Sequence, residues 1–143
     1  MSKYIATFAL HYVLNKEETP MGKILFLIAW MVTTLFMQAA DITPVSNAFK
    51  AGNADLLKNY MASEVDIVTP DASRKGSGNE ATAILKSFFQ DRKPNSFTIA
   101  HHADKNDSGF LVGKLTTANG EFRVNITYAT KEDKILITVI RIE

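Results

Sequence analysis

From Asn95 onward the apolar residues recur at every second position, whereas before it they recur at every third or fourth. That change of period constrains the fold more than any other feature. A two-residue repeat sends side chains to alternate faces of a strand, while a 3.6-residue repeat draws one stripe down a helix. Four alternating runs, near residues 96–104, 109–117, 121–130 and 134–142, are separated by Lys105-Asn106-Asp107, Ala118-Asn119-Gly120 and Lys131-Glu132-Asp133. Turns this short join antiparallel neighbours, so the second half of the chain predicts a four-stranded antiparallel meander. Asn119-Gly120 is the sharpest hairpin signal, since both residues tolerate the positive φ of a tight primed turn.

Upstream, Thr43-Pro44 reads as the N-cap and first position of a helix whose stripe Val45, Ala48, Phe49 ends at Gly52. Asn53 then caps a second short helix with Leu56, Leu57, Tyr60 and Met61 at helical spacing. Residues 64–69 alternate as a short strand closed by Pro70-Asp71, and 72–78 reads as a polar loop. Ser77 and Glu80 have the spacing of a capping box, followed by the buried stripe Ala81, Ile84, Leu85, Phe88 and Phe89 of a long helix. Helices first and sheet afterwards, with one helix crossing over from the first strand, predict an α+β fold: helices packed on one face of a curved antiparallel sheet.

Composition narrows the class. The 143 residues carry 16 Lys+Arg against 15 Asp+Glu and no cysteine. There is no basic stripe with which to neutralise phosphates, so nucleic acid is not expected as a partner. Without Cys there is no disulfide framework, CxxC redox motif, thiolate zinc site or cysteine nucleophile. Met21-Gly22-Lys23 precedes an almost unbroken apolar run from Ile24 to Met37, and then Gln38-Ala39-Ala40-Asp41. A positive start, an apolar core and small residues before a polar segment are the three parts of a secretory signal peptide. The run loses its character at Gln38, short of the roughly 20 apolar residues of a spanning helix, so no stable membrane anchor is expected after cleavage. Residues 1–20 read as a gene-model extension, with a two-segment anchor as the alternative if they are translated; 21–40 read as the signal peptide. Residues 41–143 form a single, formally neutral domain, expected in the periplasm or outside the cell.

The order helix hairpin, short strand, long helix, meander is joined by local motifs. These are Ala83-Ile84-Leu85-Lys86-Ser87-Phe88-Phe89, Val112-Gly113-Lys114-Leu115 with Thr117, Gly120-Glu121-Phe122-Arg123-Val124, and the ending Ile140-Arg141-Ile142-Glu143. Together they resemble a family of small, exported, uncharacterised bacterial proteins in the nuclear transport factor 2-like superfamily, the cystatin-like cone. The resemblance covers the region from about Asp41 and implies the fold and export but no specific activity. It further implies a cone whose mouth, between sheet and long helix, holds a small apolar ligand or an active site. Ketosteroid isomerase-like and polyketide cyclase-like members place an acid/base carboxylate or His there.

Residue by residue, the candidates are few. For acid/base work beside a carbonyl, Asp66, His101, Tyr60 and Tyr128 are available, with no motif binding them together. His101 shares its strand phase with Phe97 and Ile99 and is the inward candidate. His101 and His102 point to opposite faces of a regular strand, so the pair is no metal site. Arg141 shares its phase with Ile135, Ile137 and Val139, which suggests an anion-binding group, whereas Arg74-Lys75 reads as solvated. Tyr60, Phe89, His101 and Arg141 are therefore the expected ligand-binding residues, with no catalytic set, no metal and no cofactor. The last strand is apolar on both faces, Ile135, Ile137 and Val139 against Leu136, Ile140 and Ile142, which predicts either a homodimer through the sheet or a partner protein. The preferred function is a non-catalytic module binding a small apolar or anionic ligand or a protein. The alternative is a cofactor-free isomerase- or cyclase-like enzyme using His101 or Asp66 as base. Mass spectrometry of the exported form is expected to find a start at Ala40 or Asp41; Met1 intact on a cytosolic protein would overturn the leader.

Overall fold

The structure, a computed structural model, describes residues 40–143. The readings of residues 1–20 as an extension and of 21–39 as a leader lie outside the described residues. The meander forms where the alternation places it: β3 (Pro94–Lys105), β4 (Ser108–Thr117), β5 (Gly120–Lys131) and β6 (Lys134–Ile142), each antiparallel to the next. Before them come β1 (Met61–Val68) and β2 (Ser73–Gly76), giving a six-stranded sheet in the order β2-β1-β6-β5-β4-β3. β1 runs parallel to β6, so the completed sheet is mixed, and helix α2 (Gly78–Asp91) makes the crossover between the β1–β2 hairpin and the meander. β2 occupies the segment read as a loop. Its Ser-Arg-Lys-Gly side chains lie at the exposed sheet edge and bury none of their number, so the pairing of Arg74 with Ile67 and Lys75 with Asp66 leaves no hydrophobic alternation to read.

The helices follow their caps. α1 (Thr43–Ala51) starts one residue earlier than the Thr-Pro signal suggests. Asp41, rather than Thr43, supplies the capping oxygen by accepting from the Thr43 N–H at 3.0 Å. Gly52 ends α1 at φ 64°, where its N–H reaches the Phe49 carbonyl and that of Asn53 reaches Ala48, a Schellman closure. Asn53 does cap the next segment, but residues Ala54–Tyr60 form a 3₁₀ helix instead of an α-helix. Its tighter winding buries Leu57 and leaves Leu56 exposed, undoing the expected pairing of the two. α2 shows both halves of the Ser77–Glu80 capping box and buries Ala81, Leu85, Phe88 and Phe89.

An aromatic cluster joins helices to sheet: Phe49 stacks on Phe97 at 5.0 Å and meets Phe89 edge-on at 5.4 Å, while Phe88 meets Phe122 at 5.4 Å. Arg92, just past α2, lies over Phe88 and Phe122 and forms an ion pair with Asp71 at the β1–β2 turn. That guanidinium holds the Asp71 carboxyl below the ordinary carboxylate range.

Of the single-residue insertions in the meander, at Asn95, Ala100 and Thr138, the last two decide which side chains join this core. Ile99 pairs with Gly113 but His101 with Val112, which leaves Ala100 as an extra residue in β3. Thr127 pairs with Val139 but Tyr128 with Ile137, which leaves Thr138 extra in β6. Each bulge reverses the phase of everything beyond it. In β6 the buried set is therefore Ile135, Ile137, Ile140 and Ile142, all on the helix-covered face. The outer face of the strand carries Leu136 and Val139, both half-buried, and the exposed Arg141.

The turn chemistry also redistributes. The two-residue loop with both residues at positive φ is Glu132-Asp133, at 51° and 65°, between paired Lys131 and Lys134; at Asn119-Gly120 only the glycine has positive φ. Glu is unfavoured there and Asp only tolerated, whereas Asn-Gly is the preferred pair. The double replacement Glu132→Asn with Asp133→Gly is expected to raise stability by about 1 kcal/mol in urea denaturation. An unchanged or lowered midpoint would contradict this reading of the loop.

Candidate functional site

Beyond the β3 bulge, His102 and Asp104 turn to the inner face, where their cross-strand partners are Leu111 and Gly109. Gly109 in turn faces Tyr128 of β5. A Cβ at position 109 would sit 2.4 Å from Asp104 Oδ1 and 2.6 Å from the Tyr128 ring, so the glycine is the space through which the phenol crosses β4 to reach β3. Tyr128 is fully buried, and its hydroxyl donates to Asp104 Oδ1 at 2.5 Å. The Tyr128 hydroxyl oxygen lies 2.7 Å from His102 Nε2, which is 3.2 Å from Asp104 Oδ2. With the phenolic proton given to Asp104, proton bookkeeping makes Nε2 the protonated ring nitrogen. The His102 and Asp104 side chains are each 23% exposed, so the array has a buried root and an open edge. Burial, and then the hydrogen bond and charge of Asp104, push the Tyr128 phenol above its ordinary range, so it stays neutral and donating.

The four expected ligand-binding residues fall in separate places. Tyr60 is half-buried and lines a cavity of about 320 Å³ with Asp41, Asn59, Asp133 and Ile135. Phe89 borders a second cavity of about 350 Å³ between the ends of α1 and α2, but its ring is 4% exposed and belongs to the aromatic cluster. His101 is exposed on the outer face, its ring 5.5 Å from that of Phe110. Arg141 is exposed as well, near Glu143. The inward readings of His101 and Arg141 are corrected by the same cause, an inserted residue between each of them and the apolar positions used to set its phase. Asp66 alternates against buried Val65 and Ile67 and faces away from the core. Of the acid/base candidates only Tyr128 enters the array; unbroken alternation along β3 would turn His102, and with it Asp104, away from the face of Phe97 and Ile99. The available signal was in β4, where Gly109 and Gly113 share the phase of Leu111 and Leu115 and mark inner positions that a neighbour's ring must fill.

The raised phenol has a pH signature. Below about pH 10, the ordinary value for tyrosine, folded and unfolded chains both keep the proton and the stabilisation is complete. Above it the unfolded chain loses the proton first, so stability falls as pH rises until the folded group ionises too. Tyr128→Phe is expected to lower stability at neutral pH by about 1–2 kcal/mol and to flatten the alkaline loss by about one proton. Identical alkaline slopes in wild type and variant would contradict the assignment.

Residues 42–143 match the domain of unknown function DUF4783. A DUF4783 protein from Bacteroides fragilis is 38% identical, with a TM-score of 0.65 over 70% of this chain and 94% of its own. Two more distant structures share the fold. A designed nuclear transport factor 2-type protein is 17% identical, with a TM-score of 0.60 over 71% of this chain and 92% of that one. A putative polyketide cyclase from Sinorhizobium meliloti is 10% identical, with a TM-score of 0.55 over 71% and 92%. No curated protein matches the chain. With the family covering nearly the whole described region, the chain belongs to the DUF4783 family, and its helices on a curved, unclosed sheet share the fold of nuclear transport factor 2-like proteins.

Proposed function

We propose that this chain is an exported, non-catalytic binding module whose ligand, a small molecule joining an apolar body to a cationic head, sits in the cavity beside Tyr60. The lining of that cavity carries the reading. Pro44, Ile135, Leu136 and the Tyr60 ring supply an apolar wall, while Asp41, Asn59, Asp133 and Lys134 supply a polar rim in which carboxylates outnumber ammonium groups. A volume of about 320 Å³ suits a small ligand. The Thr43 hydroxyl and N–H hold the Asp41 carboxyl below its ordinary range, which keeps a fixed negative charge at the rim and makes Asp41 a poor proton acceptor. The anionic ligand suggested by Arg141 loses its support, because that side chain is exposed beside Glu143, away from this cavity.

Catalysis is the less favoured reading on chemical grounds. General base work needs a free lone pair within reach of the substrate and a pKa near the working pH. The array of His102, Asp104 and Tyr128 spends its hydrogen bonds internally, and no histidine is among the described residues lining the Tyr60 cavity. Export is supported by the leader pattern in the sequence.

The test compares two probes with nearly the same body and opposite charge. Phenethylamine is expected to shift the amide resonances of Tyr60, Ile135 and Leu136, with affinity falling about tenfold in Asp41→Asn, the usual cost of one charge-assisted contact. Phenylacetate is expected to leave those resonances unmoved. Equal responses to both probes, or none to the amine, would overturn the proposal.

A further inference from the structure

We infer that His102 Nε2, the Asp104 carboxylate and Tyr128 Oη form the protein face of a ferric-ion site. Three side chains of different donor type converge from two strands: His102 Nε2 lies 2.7 Å from Tyr128 Oη and 3.2 Å from Asp104 Oδ2, and Tyr128 Oη lies 2.5 Å from Asp104 Oδ1. Metal–ligand bonds of about 2.1 Å at right angles place donor atoms about 3.0 Å apart, so the separations of His102 Nε2 from Tyr128 Oη and from Asp104 Oδ2 already lie near the spacing of neighbouring ligands in an octahedral site. Small shifts, and the removal of the protons that now hold the donors together, would admit the ion.

The geometry is built rather than incidental. The bulge at Ala100 turns His102 and Asp104 inward together, although they lie two residues apart on β3. Gly109 leaves out the Cβ that would collide with both Asp104 and Tyr128. The buried root fixes the phenol, while the partly exposed His102 and Asp104 leave an open side where water or a small anion can complete the coordination sphere.

Donor chemistry selects the ion. Among the described residues no three His, Cys, Asp or Glu side chains converge on a metal position, so the phenol is what raises the donors to three. Phenolate and carboxylate are hard, anionic oxygen donors, imidazole is borderline, and the set contains no sulfur. That combination suits a small trivalent ion, whose charge can displace a phenolic proton where a divalent alkaline-earth ion cannot. On binding, the Tyr128 proton leaves to solvent and the imidazole proton moves from Nε2 to Nδ1, which frees the nitrogen lone pair for the metal. The donors then carry two negative charges against three positive, and no redox change is involved. This site shares no lining residue with the Tyr60 cavity, so it stands or falls separately.

The probe is ferric nitrilotriacetate added to the purified protein after treatment with a chelator. The expected result is a visible phenolate-to-iron charge-transfer band saturating at one equivalent, which only a tyrosinate ligand produces. The band is expected to vanish in Tyr128→Phe and to need about tenfold more iron in His102→Gln and in Asp104→Asn, with unchanged far-ultraviolet circular dichroism. Should Tyr128→Phe fail to fold, the two conservative variants carry the test. Absence of the band in the wild type, its survival in a folded Tyr128→Phe protein, or equal iron affinity in wild type, His102→Gln and Asp104→Asn would overturn the site.

Discussion

A β-strand can present a residue to one face or the other, and one inserted residue reverses the choice for everything that follows it. This structure depends on two such insertions, Ala100 in β3 and Thr138 in β6. Without the second, Ile140 and Ile142 would face away from the helices and the last strand would expose half its isoleucines. With it, Ile135, Ile137, Ile140 and Ile142 form one continuous buried row. The first does the equivalent for chemistry, withdrawing His101 to the outer surface and delivering His102 and Asp104 to the inner one. Bulges also bend the strands that hold them, which relates the curvature of the sheet to its choice of inner residues.

Glycines complement the bulges. On β4 the inner positions alternate Gly109, Leu111, Gly113, Leu115. Each glycine is a gap filled by a ring from a neighbouring strand: Phe97 lies over Gly113, and Tyr128 lies over Gly109. The first of these rings is purely apolar and joins the cluster with Phe49. The second carries a hydroxyl into the interior, and a buried hydroxyl without a partner is costly. Asp104 and His102 satisfy it, so the polar array is at once a packing requirement and a set of metal-type donors. Structural need and chemical capacity coincide in the same three side chains.

The chain is a DUF4783 member over residues 42–143, and it shares its architecture with a designed nuclear transport factor 2-type protein and a putative polyketide cyclase. Function must come from sites, because this fold places very different chemistries on one scaffold. The Tyr60 cavity and the Tyr128 array are built from different elements. The former gathers residues around the N-terminus of α1, the end of the 3₁₀ helix and the β5–β6 turn, and the latter lies across β3, β4 and β5.

The sequence by itself determined the elements. Strand alternation located all four meander strands, the Ser77–Glu80 box and Gly52 marked helix ends, and the order of elements led to α+β and to the superfamily. Those signals are local, each written within a few residues by periodicity or capping chemistry. Only the tertiary structure decided the β1–β6 parallel pairing, the β2 edge strand, and above all the facing of His101, His102 and Arg141. A bulge has no composition of its own. Ala100 and Thr138 are ordinary strand residues, and each is extra only relative to the partner strand against which it is counted. Register belongs to a pair of strands, so the site that depends on it could be read only once the strands were paired.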